Sequence, residues 1–172
     1  MSAPRRVVLI GLMGAGKSTV AALVAEQIGA LRRDTDELIE AEAGQTIAEI
    51  FATEGEPSFR HRELAALELA LDGAGDVVVA TGGGVVTMPE AAALLSTATV
   101  VYLKVSPKVA AQRVGMSDSR PLLGDAPGES LERLTRERSA LYEALADVTV
   151  DADAEDASLV AAAVIADIGV QM

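Results

Sequence analysis

The residues whose types and spacing most clearly indicate a chemical role form a glycine-rich segment at positions 11–19, with the sequence Gly-Leu-Met-Gly-Ala-Gly-Lys-Ser-Thr. This segment follows the apolar residues 7–10 and precedes a helical pattern, which is the context that a phosphate-binding loop requires. Glycines let backbone N–H groups turn toward phosphate oxygens, and the helix adds the positive end of its dipole. The pattern therefore predicts a nucleoside triphosphate site, whereas a glycine-rich turn that merely joins core elements is the alternative.

Several residues of this phosphate-binding loop have individual roles in such a site. Lys17 is long enough to reach the β- and γ-phosphates, and the hydroxyl of Ser18 is a suitable ligand for Mg²⁺. We expect the bound nucleotide to contact Gly14, Ala15, Gly16, Lys17, Ser18 and Thr19.

Two carboxylates, Asp34 and Asp36, follow a short apolar and basic segment that reads as a strand. Residues two apart in an extended chain point the same way, so both can face one cleft. Enzymes with a phosphate-binding loop often use an aspartate at the end of another strand to help hold Mg²⁺. Asp34 is the better candidate, since the strand at 76–80 ends in Thr81. The alternative for Asp36 is that it only caps the next helix.

Three consecutive glycines, Gly82, Gly83 and Gly84, allow a close approach of the backbone to a ligand, although a plain flexible loop is the alternative. Arg120 precedes a proline inside the glycine-bearing segment 115–127, which has little periodicity and reads as a mobile lid. A cation on a lid can stabilise the charge of a transferring phosphoryl group.

Composition narrows the class of protein. The chain has 172 residues, a net charge of −12, 50% hydrophobic residues and no cysteine, which excludes disulfides and thiolate zinc sites. The acidic balance disfavours nucleic acid and anionic membranes as partners. The only histidine, His61, is interpreted as structural. We expect a cytoplasmic monomer that binds small molecules and gathers its few cations at the nucleotide.

Strand-like and helix-like segments alternate along the chain, which predicts an α/β fold. We expect one domain over residues 1–172, with three α/β/α layers around a central five-stranded parallel sheet. Ligands of such sheets bind beyond the carboxyl ends of the strands, where the loops described above should converge. The predicted strands are 7–10, 31–33, 76–80, 99–105 and 148–150. The predicted helices are 17–28, 36–43, a segment that Thr46 caps, 56–71, 89–95, 107–114, 129–146 and 157–168.

The motifs together resemble those of the shikimate kinase family, in the same order and over nearly the whole chain. They are Gly14-Ala15-Gly16-Lys17-Ser18-Thr19, Asp34-Thr35-Asp36, Phe59-Arg60, Gly82-Gly83-Gly84, Arg120-Pro121-Leu122-Leu123, and Arg138 before Leu141-Tyr142. The resemblance implies transfer of the γ-phosphate of ATP to the 3-hydroxyl of shikimate, with Mg²⁺ as cofactor, on the route to chorismate and the aromatic amino acids.

The resemblance also implies a role for individual residues. Lys17, Asp34 and Arg120 would be catalytic, Asp34 acting through a metal-bound water or as a proton acceptor. Ser18 would bind the metal. The acceptor would be held within a substrate-binding region at 34–63 and by more distant residues. The implied acceptor contacts are Asp36, Arg60, Gly82, Gly83, Gly84 and Arg138. Phe51, Phe59 and Pro121 would form the apolar side of the pocket. Arg113 would lie against adenine.

One departure from the family concerns Arg32 and Arg33, which stand where the family usually has apolar strand residues. This departure predicts an irregular edge of the sheet. Two other classes remain as alternatives: a gluconate or nucleoside monophosphate kinase of the same architecture, and a GTPase-like switch or nucleotide sensor. The last has no Asn-Lys-x-Asp base motif in the chain to support it.

Overall fold

A computed structural model describes residues 4–115, 126–154 and 156–169. Its centre is a five-stranded sheet in the order β2-β3-β1-β4-β5, in which every neighbouring pair is parallel. The predicted fold class is therefore confirmed. The strands are β1 (Arg6–Ile10), β2 (Leu31–Asp34), β3 (Val77–Ala80), β4 (Thr99–Lys104) and β5 (Val148–Asp151).

The helices lie close to their predicted positions. They are α1 (Lys17–Ile28), α2 (Thr35–Ala43), α3 (Ile47–Leu71), α4 (Pro89–Leu95), α5 (Pro107–Val114), α6 (Pro127–Leu145) and α7 (Ala157–Asp167). A short 3₁₀ helix, Val85–Thr87, follows β3 and was not predicted. Among the described residues, no helix is both long enough and apolar enough to span a membrane.

The sheet has an apolar core on each face, because successive strand residues point to opposite sides. Val7 and Leu9 of β1 face a core that includes residues of α1 and α7. Val8 and Ile10 face a second core that includes residues of α3 and α4. All four side chains are fully buried, as expected for a central parallel strand that helices cover on both faces. The helices thus form two layers around the sheet.

The edge strand β2 is regular, so the predicted irregular edge is wrong. All four of its residues pair in register with β3. Arg33 fits at this position because its guanidinium donates to the carbonyl oxygens of Leu69, Ala70 and Asp72, at 2.5, 3.2 and 3.0 Å. The last carbonyls of a helix have no partner within the helix, so these bonds satisfy the end of α3. Arg32 instead contacts the carboxylates of Asp34 and Glu37.

A small separate core joins α2 to α3 and consists of Ile39, Ile50, Phe59 and Ala66. The helix α3 begins with the predicted capping box, in which Thr46 and Glu49 bond each other's backbone. It has a kink at Gly55, whose φ of 80° and ψ of 172° are not helical. The two predicted helical segments therefore run on as one element with a break between them, and the first segment carries Phe51 toward the carboxyl edge of the sheet.

The backbone at Gly55 gives a prediction for stability. Its φ and ψ lie in a region that is essentially restricted to glycine, so Gly55→Ala should lower the free energy of unfolding by about 1–3 kcal/mol. Gly75→Ala is the matched control, because a Cβ at Gly75 would meet nothing within 4 Å. We expect the control to change stability by about 0.5 kcal/mol or less. Urea denaturation measures both, and equal losses would contradict a strained kink at Gly55.

Candidate active site

The phosphate-binding loop leaves the carboxyl end of β1 and turns sharply into α1. Gly14 and Gly16 have φ values of 83° and 84°, a conformation that favours glycine. Gly14 favours glycine for a second reason as well, since a Cβ there would overlap the carbonyl oxygen of Ala110 in α5. The loop therefore lies tightly against α5 and keeps a fixed curvature.

The amino end of α1 opens into this phosphate-binding loop. Within the described chain, α1 has no capping side chain, and its first turn contains no acidic residue. Lys17 is 8% exposed, and its Nζ donates to the carbonyl oxygens of Gly11 and Leu12 at 2.7 and 2.9 Å. The structure thus places a buried ammonium at the amino end of a helix, which is the arrangement that phosphate binding uses.

The carboxylate of Asp34 joins the phosphate-binding loop to α2. Its Oδ2 accepts a hydrogen bond of 2.5 Å from the Ser18 hydroxyl, and its Oδ1 accepts one of 3.0 Å from the backbone N–H of Asp36. Asp34 is therefore the residue that caps α2, so the alternative in which Asp36 is the cap is wrong. Asp36 lies instead in the first turn of α2, where it lines the cleft.

The pair formed by Ser18 and Asp34 fits a site for Mg²⁺. Both supply oxygen, the ligand type that this ion prefers, and Mg²⁺ usually completes its shell with water and substrate phosphates. Within residues 4–115, 126–154 and 156–169 there is no group of three or more acidic or histidine side chains that could hold a metal alone. The donors present therefore suit an ion that arrives with a nucleotide.

The triple-glycine loop, Gly82 to Gly84, follows β3. Because glycine has no side chain, charged groups of other residues can lie directly against this loop. A Cβ at Gly84 would overlap the guanidinium of Arg60, and one at Gly82 would overlap the carboxylate of Glu63. Glycine is thus needed here for the close approach of two charged groups of α3. Whether the loop also touches an acceptor stays a prediction.

Glu63 is a buried carboxylate in this cleft that the sequence interpretation missed. It is 1% exposed, and its Oε2 accepts a hydrogen bond of 2.5 Å from Nη1 of Arg60. Burial raises the pKa of Glu63, although the charges of Arg60, Arg138 and Lys17 oppose that rise. A signal was present in the sequence, since Glu63 lies four residues from both Phe59 and Leu67 on the apolar face of a predicted helix.

Helix α6 supports the triple-glycine loop from behind. The hydroxyl of Tyr142 donates to the carbonyl oxygen of Gly83 at 2.5 Å, and its ring stacks on Tyr102 with centroids 5.0 Å apart. Burial raises the pKa of Tyr142 to about 12, so the hydroxyl stays a donor even at alkaline pH values at which an ordinary tyrosine ionises. One turn earlier, Arg138 is 6% exposed, and within the described chain its buried Nη1 has no hydrogen-bond partner.

These elements enclose a cleft of about 390 Å³ at the carboxyl edge of the sheet. The structure brings together most of the predicted site residues there. The predicted residues that line it are Gly14, Gly16, Lys17, Ser18, Thr19, Asp34, Asp36, Phe51, Phe59, Arg60, Gly82, Gly83, Gly84 and Arg113.

Two predicted residues that the structure describes do not line this cleft. Ala15 is buried within the phosphate-binding loop, and Nη1 of Arg138 lies beside Gly83. Arg120 and Pro121 fall at 116–125, outside the described residues, together with most of the predicted lid at 115–127.

Arg113 has a structural role that the sequence did not indicate. Its guanidinium donates to the carbonyl oxygens of Gly14 and Ala154 at 3.2 and 2.8 Å. It thereby links the phosphate-binding loop to the segment after β5. Its side chain lines the cleft beside Gly14 and Gly16, and its predicted contact with adenine stays a prediction.

The fold and the cleft define a class of protein: an α/β kinase with a phosphate-binding loop, which uses the carboxyl edge of a parallel sheet to bind a nucleotide. Comparison with known families specifies the group further. Residues 13–169 match the model of the family described as shikimate kinase. The chain belongs to the shikimate kinase family.

Individual relatives agree with this assignment. A shikimate kinase of Streptomyces avermitilis is 44% identical over 165 residues, which cover 96% of this chain and 95% of the relative. A shikimate kinase of Moorella thermoacetica is 42% identical and covers 92% and 91%. Among solved structures, that of Acinetobacter baumannii shikimate kinase in complex with shikimate superposes with a TM-score of 0.90 at 36% identity, covering 96% of this chain and 93% of that one.

The support of the triple-glycine loop by Tyr142 gives a prediction. Tyr142→Phe keeps the stacked ring but leaves the carbonyl oxygen of Gly83 without its donor. The free energy of unfolding should fall by about 1–3 kcal/mol, which is the cost of a buried polar group without a partner. Tyr102→Phe removes the hydroxyl of the other ring in the same stack and is the matched control. Urea denaturation measures the free energy of unfolding of both variants. If the two losses were equal, the hydrogen bond to Gly83 would not stabilise the fold more than the hydroxyl of Tyr102 does.

Proposed function

We propose that this cleft transfers the γ-phosphoryl group of ATP to the 3-hydroxyl of shikimate, which gives shikimate 3-phosphate and ADP, with Mg²⁺ as the metal cofactor. Membership of the shikimate kinase family supports the reaction and its cofactors. The observation in the chain itself that carries the proposal is Arg138, a buried cation beside Gly83 whose Nη1 has no hydrogen-bond partner within the described residues. A carboxylated acceptor would supply that partner.

On the acceptor side of the cleft, two guanidinium groups lie close to one fully buried carboxylate. Arg60 and Arg138 lie near the triple-glycine loop, and the buried carboxylate between them is that of Glu63. An isolated buried charge is costly, so the second arginine favours an anionic ligand. We assign the carboxylate of shikimate to these two arginines, since a guanidinium matches a carboxylate in shape and charge.

The remaining contacts would orient the ring. Asp36 lines the cleft and would accept hydrogen bonds from ring hydroxyls, and the backbone of the triple-glycine loop would approach the ring edge. Phe51 and Phe59, with ring centroids 4.6 Å apart, form an apolar wall for the ring face. This combination of two cations, one carboxylate and an apolar wall suits a small hydroxylated acid.

On the nucleotide side, the phosphate-binding loop and Lys17 would hold the phosphates, and Ser18 would bind the metal. Asp34 already accepts hydrogen bonds from Ser18, Arg32 and the backbone of Asp36, which fixes its carboxylate in place. These bonds favour a role in which Asp34 orients a metal-bound water. Phosphoryl transfer requires mainly positioning and charge neutralisation, so no further protein nucleophile is needed. Arg120 would act from the predicted lid.

We further propose that residues 1–172 act as one domain, as a monomer in the cytoplasm, without nucleic acid as a partner. A substrate-binding region at 34–63 corresponds to the end of β2, α2 and most of α3, which share their own small core. The net charge of −12 supports the exclusion of nucleic acid.

A choice of acceptors tests the reaction directly. Release of ADP, measured by a coupled assay with shikimate, quinate, gluconate and AMP, should be fast with shikimate alone. Gluconate is included because a gluconokinase of Sinorhizobium meliloti shares the fold, with a TM-score of 0.63 at 19% identity. Activity only with gluconate or AMP would overturn the proposal.

The arginine assignment predicts a selective loss. Arg138→Met removes a buried cation while keeping much of its volume, and it should raise the KM for shikimate by about 30-fold or more. The Kd for ADP should change by less than about twofold, since no phosphate contact is lost. Steady-state kinetics and calorimetry measure the two values.

Arg62→Met is the matched control for that experiment. Arg62 lies on α3 as Arg60 does, but it pairs with Glu42 and Glu54 outside the cleft. We expect its KM for shikimate to stay within about twofold of the original. Equal losses of shikimate and ADP affinity in Arg138→Met would contradict the assignment of Arg138 to the acceptor.

A further inference from the structure

A cation of β2 reaches the magnesium side of the cleft. Nη2 of Arg32 lies 3.3 Å from Oδ2 of Asp34, the same oxygen that accepts the hydrogen bond from Ser18. The side chain of Asp34 is 8% exposed and that of Arg32 is 30% exposed, so the pair is partly shielded from water. One carboxylate oxygen therefore serves the hydroxyl assigned to the metal and a guanidinium at the same time.

The guanidinium of Arg32 is held in this place by a second carboxylate. Its Nη1 and Nη2 donate to Oε2 and Oε1 of Glu37 at 3.0 and 2.7 Å, a two-point contact that fixes the plane of the group. The contact with Glu37 is shorter than the contact with Asp34. The guanidinium of Arg32 therefore lies closer to Glu37 than to Asp34, and its contact with Glu37 limits how closely Arg32 approaches Asp34.

We infer that Arg32 sets the magnesium dependence of nucleotide binding in this chain. A guanidinium on Asp34 offsets the negative charge that would attract a divalent ion, and it occupies an oxygen that could otherwise accept from a metal-bound water. Arg32 thus weakens the preference for the magnesium-loaded nucleotide, and Glu37 adjusts the effect by withdrawing Arg32 from Asp34. The inference rests on the proposed function, because that function assigns Ser18 and Asp34 to the metal.

The quantity that tests this inference is the magnesium enhancement, defined as the Kd for ADP in EDTA divided by the Kd for ADP at saturating Mg²⁺. Calorimetry on the full chain measures both values. Magnesium also binds ADP in solution, but that contribution is the same for every variant and cancels when variants are compared. No acceptor is present, so the measurement does not depend on the phosphorylation of shikimate.

Arg32→Leu should increase the magnesium enhancement about fivefold, because the variant removes the repulsion between the guanidinium and a divalent ion, which is modest in a water-like medium. The increase should shrink as the salt concentration rises, because mobile ions screen the interaction. If Arg32→Leu does not fold, Arg32→Gln removes the same charge and serves in its place. An unchanged enhancement in the folded variant would overturn the inference.

Arg33→Gln is the matched control. It removes the same charge from the adjacent residue, whose guanidinium contacts the end of α3, and glutamine can still donate to the carbonyl oxygens there. The enhancement should stay within about twofold of the original value, because the hydrogen bonds of Arg33 within the described residues go to the end of α3 and not to Asp34. If Arg33→Gln matched Arg32→Leu, the effect would come from net charge, and the specific role of Arg32 would be wrong.

A double substitution tests the part assigned to Glu37. Glu37→Gln alone should lower the enhancement, because Arg32 is then free to pair more fully with Asp34. In the Arg32→Leu background the Glu37→Gln change should have no effect on the enhancement, because Glu37 is expected to act only by holding Arg32 away from Asp34. An equal decrease in both backgrounds would show that Glu37 acts through its own charge and would overturn this part. A chain that shows these shifts but does not phosphorylate shikimate would contradict the proposed function alone.

Discussion

The buried ion pair between Arg60 and Glu63 is the interaction on which the cleft depends. Glu63 could not be buried alone, since an unpaired charge in the interior costs several kcal/mol, whereas Arg60 also pairs with Glu56 at 2.8 Å. Glu63 also lies close enough to Arg138 for their charges to interact, so one carboxylate serves two guanidinium groups. The cleft therefore brings two guanidinium groups to one buried carboxylate, inside a chain whose net charge is −12. The local placement of charge in the cleft thus differs from the strongly acidic balance of the whole chain.

Several elements of the fold keep these charged groups in place. Helix α3 carries Arg60 and Glu63, the triple-glycine loop lies against them, and Tyr142 of α6 fixes that loop by its bond to Gly83. The parallel sheet makes this possible, because the carboxyl ends of β1, β2 and β3 are neighbours although they are far apart in sequence. The nucleotide side and the acceptor side thus meet at one edge, and Asp34 at the end of β2 connects them.

Much of this arrangement could be predicted from the sequence, because it depends on local patterns. Apolar runs located the strands, and the segment around Lys17 identified the phosphate-binding loop. The spacing of Thr46 and Glu49 gave the capping box. These features depend on residues close in the chain, for which periodicity and backbone preferences are informative.

The features that were missed depend on contacts between residues far apart in sequence. Arg33 suggested an irregular strand, but its side chain satisfies the end of α3, some 40 residues later. The bond between Tyr142 and Gly83 spans 59 residues. Asp34 and Asp36 were interchangeable as caps by type, and only the backbone shows that Asp34 is the cap. A sequence pattern identifies a charged residue, but the partner that gives it a role is fixed by the fold.

The charged groups beside the triple-glycine loop also constrain which substitutions this protein can accept during evolution. The volume that side chains at Gly82 and Gly84 would need is taken by Glu63 and Arg60. A larger residue in the loop would require the ends of these two side chains to move, and a shorter residue in place of Arg60 would leave the buried Glu63 without its hydrogen-bond partner. Changes in the two segments are therefore coupled, and a lineage that acquired a different acceptor would be expected to change both.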